Sequence, residues 1–498
     1  MPPGLACSSS PGPTTSAAGS STSAASTPWQ ISLASPGLVS GRAIAVSSES
    51  VVVAGNFEST LELPGSALHS SGATDGFVAF LDRDGRVAWA RSLGGMGQDS
   101  IRALAMHARF PEVASPDPGS GAAPAPDAIS VTVALTHGDA IDLGDLGDLA
   151  GAPGAAVDAT GLADDPFAGN PDSATALITL DGSGRLTRVT PLRASRYIQV
   201  SALEYSDDGA LTLAGLFTGT VRVGDHVLTS AGASDLLVAR IAPAGEVSWA
   251  IRAGGAGADS AAGLAVSRSA VAVAGSFSGR AVFATTTVVA PRRNRRVSGQ
   301  SGFVAVLDPG TGALRWLTPL LGPATSATAV AMNEQAIACA GHFEGPMKLG
   351  ETTLDARGGA DGFAVGLDLD GQVTWLTRIG GEGLDHATAI AAHEDRFYLV
   401  GTFHDRAISG DHRLTGAGEQ DIFVGSISAA GKLLAVRSFG GPGHDAVGGV
   451  AVSPRGLHVT GTFSGTATIS GPLRAAGPLG AFVARLPHRA LERIATAD

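Results

Sequence analysis

The sequence predicts an all-β fold: a seven-bladed β-propeller of four-stranded antiparallel blades, its ring closed by the N-terminal strand. Three observations predict it. The first is a recurring phrase of the form xVxVAGxF. It reads VVVAGNF (51–57), LTLAGLF (211–217), VAVAGSF (271–277), AIACAGHF (336–343), FYLVGTF (397–403) and LHVTGTF (457–463). Its glycines stand at 55, 215, 275, 341, 401 and 461, and the long first step holds a worn copy, SVTVALTH (130–137), with Leu135 and His137 in place of Gly and Phe. A fixed period of this size marks a repeat architecture. The second observation is period-two alternation, punctuated by Gly, Asp and Ser, with no sustained helical period. The third is a ladder of equivalent positions, Trp29, Trp89, Arg188, Trp249, Trp316, Trp375, Ala435 and Ile494, spaced by 60, 99, 61, 67, 59, 60 and 59 residues. Seven intervals imply seven blades.

Each unit reads as four strands in a constant order. An Ala/Gly-rich alternation comes first, as in GRAIAV (41–46), SIRALAM (100–106) and ATAVAM (327–332). Small residues suit strands that crowd toward a narrow central channel. The xVxVAGxF phrase follows, then DGFVAFLD (75–82) with echoes such as DLLVARIA (235–242) and DGFAVGLD (361–368), then GRVAWARSL (85–93) with partners such as GQVTWLTRI (371–379). The third and fourth strands are joined by DRDG (82–85), PAG (243–245), PGTG (309–312) or DLDG (368–371), hairpin turns whose glycine supplies positive φ. Closed rings of four-stranded sheets satisfy this pattern. A β-solenoid, the structural rival, uses a shorter period. The orphan strand WQISL (29–33) would complete the last blade and leave no open edge, in competition with LERIA (491–495) for the same slot.

These boundaries divide the chain into a leader or linker over residues 1–28 and a propeller over 29–498. Insertions fall at 111–127 and 150–171 in the second unit, and an extended loop at 287–299 in the fourth. Between the two insertions, Asp139, Asp142, Asp145 and Asp148 recur every third residue. Surface loops are the default reading of this stretch, and a partner-binding excursion is the sharper one.

Composition excludes several classes. A formal net charge of −12 lacks the basic field that nucleic acid requires, and the one basic cluster, PRRNRR (291–296), reads as a solvated loop. No apolar run is long enough to span a membrane. Only two cysteines occur, so no disulfide framework is expected, and Cys339, inside a strand, reads as a small buried hydrophobe. Residues 8–27 form a Ser/Thr/Ala/Gly/Pro tract that reads as a flexible linker.

Taken together, GGMGQDSIRALAM, VVVAGNFEST and SGATDGFVAFLDRDGRVAWARSLGG resemble the bacterial SBBP-type β-propeller repeat family, over roughly residues 29–496. The resemblance implies a propeller, commonly exported or surface-attached, with no general catalytic activity and therefore no catalytic residues to carry over. The second unit departs from the pattern at His137, Ala174 and Arg188. GLAC (4–7) is similar to the end of a bacterial lipoprotein signal, which implies lipid attachment at Cys7, although Gly4 stands where Leu is usual. Plain secretion and a cytoplasmic chain with an incidental cysteine are the alternatives.

Three constellations could carry chemistry. GGxGxD recurs and ends on Asp99, Asp259, Asp385 and Asp445. It resembles the calcium-binding nonapeptide of β-rolls, but single copies a whole blade apart fall short of the six to eight oxygens calcium takes. Calcium is thus the one cofactor considered, and the favoured reading is a turn whose Asp caps amides. Asp75, Asp235, Asp361 and Asp421 open the third strand and are read as acceptors for the preceding turn. His386, His404, Asp405, Asp411, His412 and His444 are dense enough to suggest a transition metal, without HxH or HExxH spacing. No nucleophile elbow, Walker loop, CxxC pair or dinucleotide fingerprint is present. The functional expectation is a non-catalytic, monomeric binding or scaffold module at the cell surface with a protein or cell-envelope partner. The alternative is an enzyme of lyase, glycosidase or quinoprotein type at the channel mouth.

Overall fold

The computed structural model describes residues 27–108, 129–137, 174–294, 297 and 299–491. The leader with Cys7, both second-unit insertions, the Asp139–Asp148 run and the tail beyond Leu491 lie outside them. The described chain is all-β, with one 3-10 turn at His488–Leu491, and is arranged as a β-propeller. Each unit runs outward as a meander. In the first, Val39–Val46 pairs with Ser50–Phe57, that strand with Asp75–Asp82, and the last with Val87–Leu93. The worn second unit keeps the same order, through Ser100–Ala108, Ile129–His137, Ala174–Asp181 and Leu186–Ala194. Its irregular sequence still makes a regular meander.

The sequence reading missed one element. Where the segment between the second and third strands is described, it forms a hairpin, such as Thr60–Leu63 with Ser66–His69, or Arg406–Ser409 with His412–Thr415. The hairpin attaches to the outer strand of the preceding unit, as in Gly255↔Ala281, Gly381↔Ala407 and Ala194↔Val221. Its signal was legible in TVRVGDHVLT (220–229) and RAISGDHRLT (406–415), which alternate about a Gly-Asp turn. Four-stranded sheets are therefore an undercount, because a neighbour's hairpin widens several of them. Sheets and sequence units also fail to correspond one to one. Among the described residues six sheets have four or more strands, since one parallel pair, Gln300↔Ala324, joins two neighbouring units into a ten-stranded sheet.

The core lies between units. Val52, Ala54 and Val78 of the first unit pack with Ile101, Val131, Val133 and Ile178 of the second. The outer-strand tryptophans lock each unit to the next. Trp89 Nε1–H donates to Gly182 O at 2.9 Å, Trp249 to Pro309 O at 2.9 Å, and Trp375 to Ala429 O at 3.0 Å. Each acceptor lies in the turn between the next unit's third and fourth strands. Arg188, at the worn position, donates its guanidinium to Pro243 O and Ala244 O, both at 3.2 Å, so it replaces the indole in kind. The N-terminal strand Trp29–Leu33 pairs antiparallel with Gly480–Leu486, and Trp29 donates to Arg83 O of the first unit. The competing tail contributes Leu491, which is buried at the end of the 3-10 turn.

Candidate functional site

The recurrent aspartates are buried in pairs. Asp99, Asp259, Asp385 and Asp445 accept the amide of the second glycine of GGxGxD through Oδ2, at 2.7, 2.7, 2.6 and 2.6 Å. Asp75, Asp235, Asp361 and Asp421 accept the amide four residues upstream, from Ser71, Ala231, Arg357 and Ala417. The two carboxylates of a pair meet at the first glycine. A Cβ on Gly254 would lie 2.5 Å from Asp235 Oδ1 and 2.7 Å from Asp259 Oδ2, and one on Gly440 would lie 2.1 Å from Asp421 Oδ1. The second glycine is required by the neighbour's hairpin, whose carbonyl at Arg280 would stand 2.0 Å from a Cβ on Gly255. The GG dipeptide is thus a packing requirement at two contacts.

Burial, with the partner's charge added, pushes the carboxyls of Asp259 and Asp445 up to about 6. Two of the pairs are offset by arginine: Arg252 Nη1 lies 2.6 Å from Asp235 Oδ2, and Arg378 Nε 3.5 Å from Asp361 Oδ2. For Asp421 and Asp445 no such arginine bond occurs among the described residues, and the nearby His444 offsets only part of the burial and repulsion at Asp445. A raised folded-state pKa means that protonation favours folding, with stability gained as pH falls through about 6 toward the ordinary 3.8. Asp421→Asn is therefore expected to stabilise the protein at pH 8 by about 1 kcal/mol, the net worth of one hydrogen bond, because its amide can donate to the Asp445 carboxylate. The gain narrows as pH falls through 6. Thermal unfolding of both proteins at pH 8 and pH 5 measures it, and a lower midpoint for the variant at pH 8 would defeat the idea. A cation held by this pair predicts that lower midpoint.

The histidines do not converge. His404 is half-buried, with its amide on Asp385 Oδ1 and its Nδ1 2.5 Å from Leu384 O. His412 sits on the outer hairpin, and His444 faces Glu419 at 2.5 Å on the surface. His386 instead lies against His342, ring centroids 4.4 Å apart and planes tilted by 46°, and burial lowers His342 to about 4. Asp405 takes a positive φ of 53° in the turn that follows Phe403. Among the described residues no trio of His, Cys, Asp or Glu is arranged to hold a metal ion. Cys339 is fully buried, and burial pushes its thiol up.

The central channel is where the small residues of the inner strands lead, but its charged residues were not singled out from sequence. It forms a cavity of about 470 Å³ lined by the inner strands. Each inner strand carries a β-bulge at one equivalent row, between Gly41 and Ala43, Ile101 and Ala103, Val200 and Ala202, Ala261 and Gly263, Ala327 and Ala329, Ala387 and Ala389, and Val447 and Gly449. A bulge re-aims the extra residue out of the sheet's alternation. The bulged residues, all lining the cavity, are Arg42, Arg102, Ser201, Ala262, Thr328, Thr388 and Gly448. Arg42 and Arg102 are adjacent and exposed to the channel, and burial followed by the charge of Arg102 lowers the pKa of Arg42. Near the end of its inner strand, Tyr197–Tyr205, Glu204 replaces an otherwise constant alanine. It is open to channel water yet enclosed by protein, and that enclosure pushes its carboxyl up to about 7. The signal was present in the sequence: R at 42 and 102 and E at 204 break an Ala/Gly/Thr column.

No family model matches the chain, and no curated protein does. Among solved structures it is similar to BamB from Moraxella catarrhalis, at 11% identity over 91% of this chain and 98% of that one, with a TM-score of 0.32. It is similar to a quinohemoprotein alcohol dehydrogenase from Pseudomonas putida HK5, at 11% identity over 95% and 77%, TM-score 0.38. A europium-containing methanol dehydrogenase aligns at 10% identity over 92% of both chains, TM-score 0.36. Likenesses this distant transfer no residue role and no activity.

Proposed function

We propose that the chain is a non-catalytic binding or scaffold module, exported or tethered to the cell surface through Cys7, and built as a seven-bladed ring closed by its N-terminal strand. The seven bulged inner strands around one cavity and the pairing of Trp29–Leu33 with Gly480–Leu486 support the ring. The observation that carries the binding reading is the placement of exposed apolar side chains. Of the exposed large apolar side chains, set against Leu369 and Val373 near the opposite turns, Leu38 at 44%, Met96 at 84% and Leu384 at 49% sit in turns that lead from an outer strand to the next inner strand. Those turns open on one end of the channel, which makes that end the face for a protein partner of the cell envelope. The ring acts as a monomer, and its recurrent Asp pairs serve the turns.

Photo-crosslinking from positions 96 and 384 in the native cell tests this. A discrete protein adduct from that end, and none from position 373 near the opposite turns, is expected. Adducts from position 373 alone would sink the assignment. The rival enzyme reading has one observation in its favour, the enclosed carboxyl of Glu204. It predicts that Glu204→Gln abolishes a turnover that the scaffold reading does not require.

A further inference from the structure

We infer that the bulge row of the central channel is a binding site for a small dianion, a phosphate or a compact dicarboxylate, held between Arg42 and Arg102. The idea is separate from the protein-partner face and stands if that face is wrong. Two guanidinium groups on neighbouring inner strands are turned into one cavity by bulges at the same row. Neither has an ion pair or a hydrogen bond with another described residue, whereas Arg252 is matched by Asp235 and Arg315 by Asp308. Two uncompensated like charges facing one cavity oppose folding, and the fold keeps them on neighbouring strands at the same row.

Guanidinium is the group best shaped for oxyanions, because its planar fork donates paired hydrogen bonds to phosphate or carboxylate. Two such forks match two negative charges. The rest of the row suits a small ligand. Thr388 and Ser201 bring hydroxyl groups, and Ala262 and Gly448 leave room. Thr328 is committed elsewhere, since its hydroxyl donates to backbone carbonyls of Ala340 and Ala387. Burial pushes the Glu204 carboxyl up, and neither arginine pulls it back down. A cavity of about 470 Å³ admits a small molecule and excludes a folded partner.

The test is calorimetric titration of the full chain with inorganic phosphate and, separately, with malonate, at constant ionic strength in chloride. One site per chain is expected, weakened about tenfold or more in Arg42→Ala and in Arg102→Ala, and lost in the double variant. Arg268→Ala, at an exposed pair with Asp207, should bind as the wild type does. Tighter phosphate identifies a phosphoryl ligand, and tighter malonate a dicarboxylate. Binding of neither anion, or equal binding by the double variant, overturns the proposal. A ligand-free control guards against misfolding: in low salt, Arg42→Ala should unfold at the same or a higher temperature, since it removes a repulsion. A clear drop would mean that Arg42 already has a structural partner, and would also overturn it.

Discussion

Trp249→Ala is expected to cost about 3–5 kcal/mol of folding stability, read as a shift in chemical-denaturation midpoint. The indole is 5% exposed, and it packs where a Cβ on Gly312 of the next unit would lie 2.7 Å from its ring. Its Nε1–H also loses Pro309 O, leaving a carbonyl of that turn without its donor. Trp316, half-buried at the equivalent place, should lose less on the same change. The sharper comparison is Trp249→Arg. Arg188 fills this role in the second unit, reaching two carbonyls of the adjoining turn, with a Cβ on Gly245 only 2.9 Å from its guanidinium. An arginine at 249 should therefore recover part of the alanine loss. If it is as damaging as alanine or worse, the inter-unit lock is not what the outer position supplies.

The second large effect concerns the glycine of the repeated phrase. A Cβ on Gly341 would stand 2.0 Å from Ser326 O and 2.7 Å from the Phe363 ring, and the same clash recurs at Gly55, Gly275, Gly401 and Gly461. The bulge in the inner strand drives its carbonyl against the second strand, while the facing phenylalanine covers the remaining space. Gly341→Ala is expected to destabilise by at least the 1–3 kcal/mol typical of overpacking. The worn unit offers the escape. There Leu135 pairs with Ala176, where the first unit pairs Gly55 with Phe77 and the fifth Gly341 with Phe363. The volume lost at one position is regained at the other. Gly341→Leu should therefore be rescued in part by Phe363→Ala, with a coupling of about 0.5–3 kcal/mol in a double-mutant cycle. Additive losses would refute the exchange.

Both effects bear on how the chain can be read. Leu135 and Arg188 look like decay in the sequence because each is compared with the consensus at its own position. Their partners, Ala176 in the next strand and the turn carbonyls at 243 and 244, become neighbours through strand pairing and ring packing. The outer hairpins were missed for a different reason. Their alternation is as clear as that of the main strands, but each completes the sheet of the unit before it, a placement that strand patterning does not encode.

The period, the alternation and the turn glycines determined an all-β propeller, because a meander that exposes apolar residues on both faces must bury them against copies of itself. The Asp and Gly of GGxGxD were legible as turn residues from local chemistry alone. Tertiary structure decided what those residues face. It paired Asp421 with Asp445, parted His404, His412 and His444, and turned Arg42 and Arg102 into one channel. The physical reason is that turns, bulges and the packing of one unit on the next bring together residues that sequence spacing leaves apart, and their charges interact through that geometry.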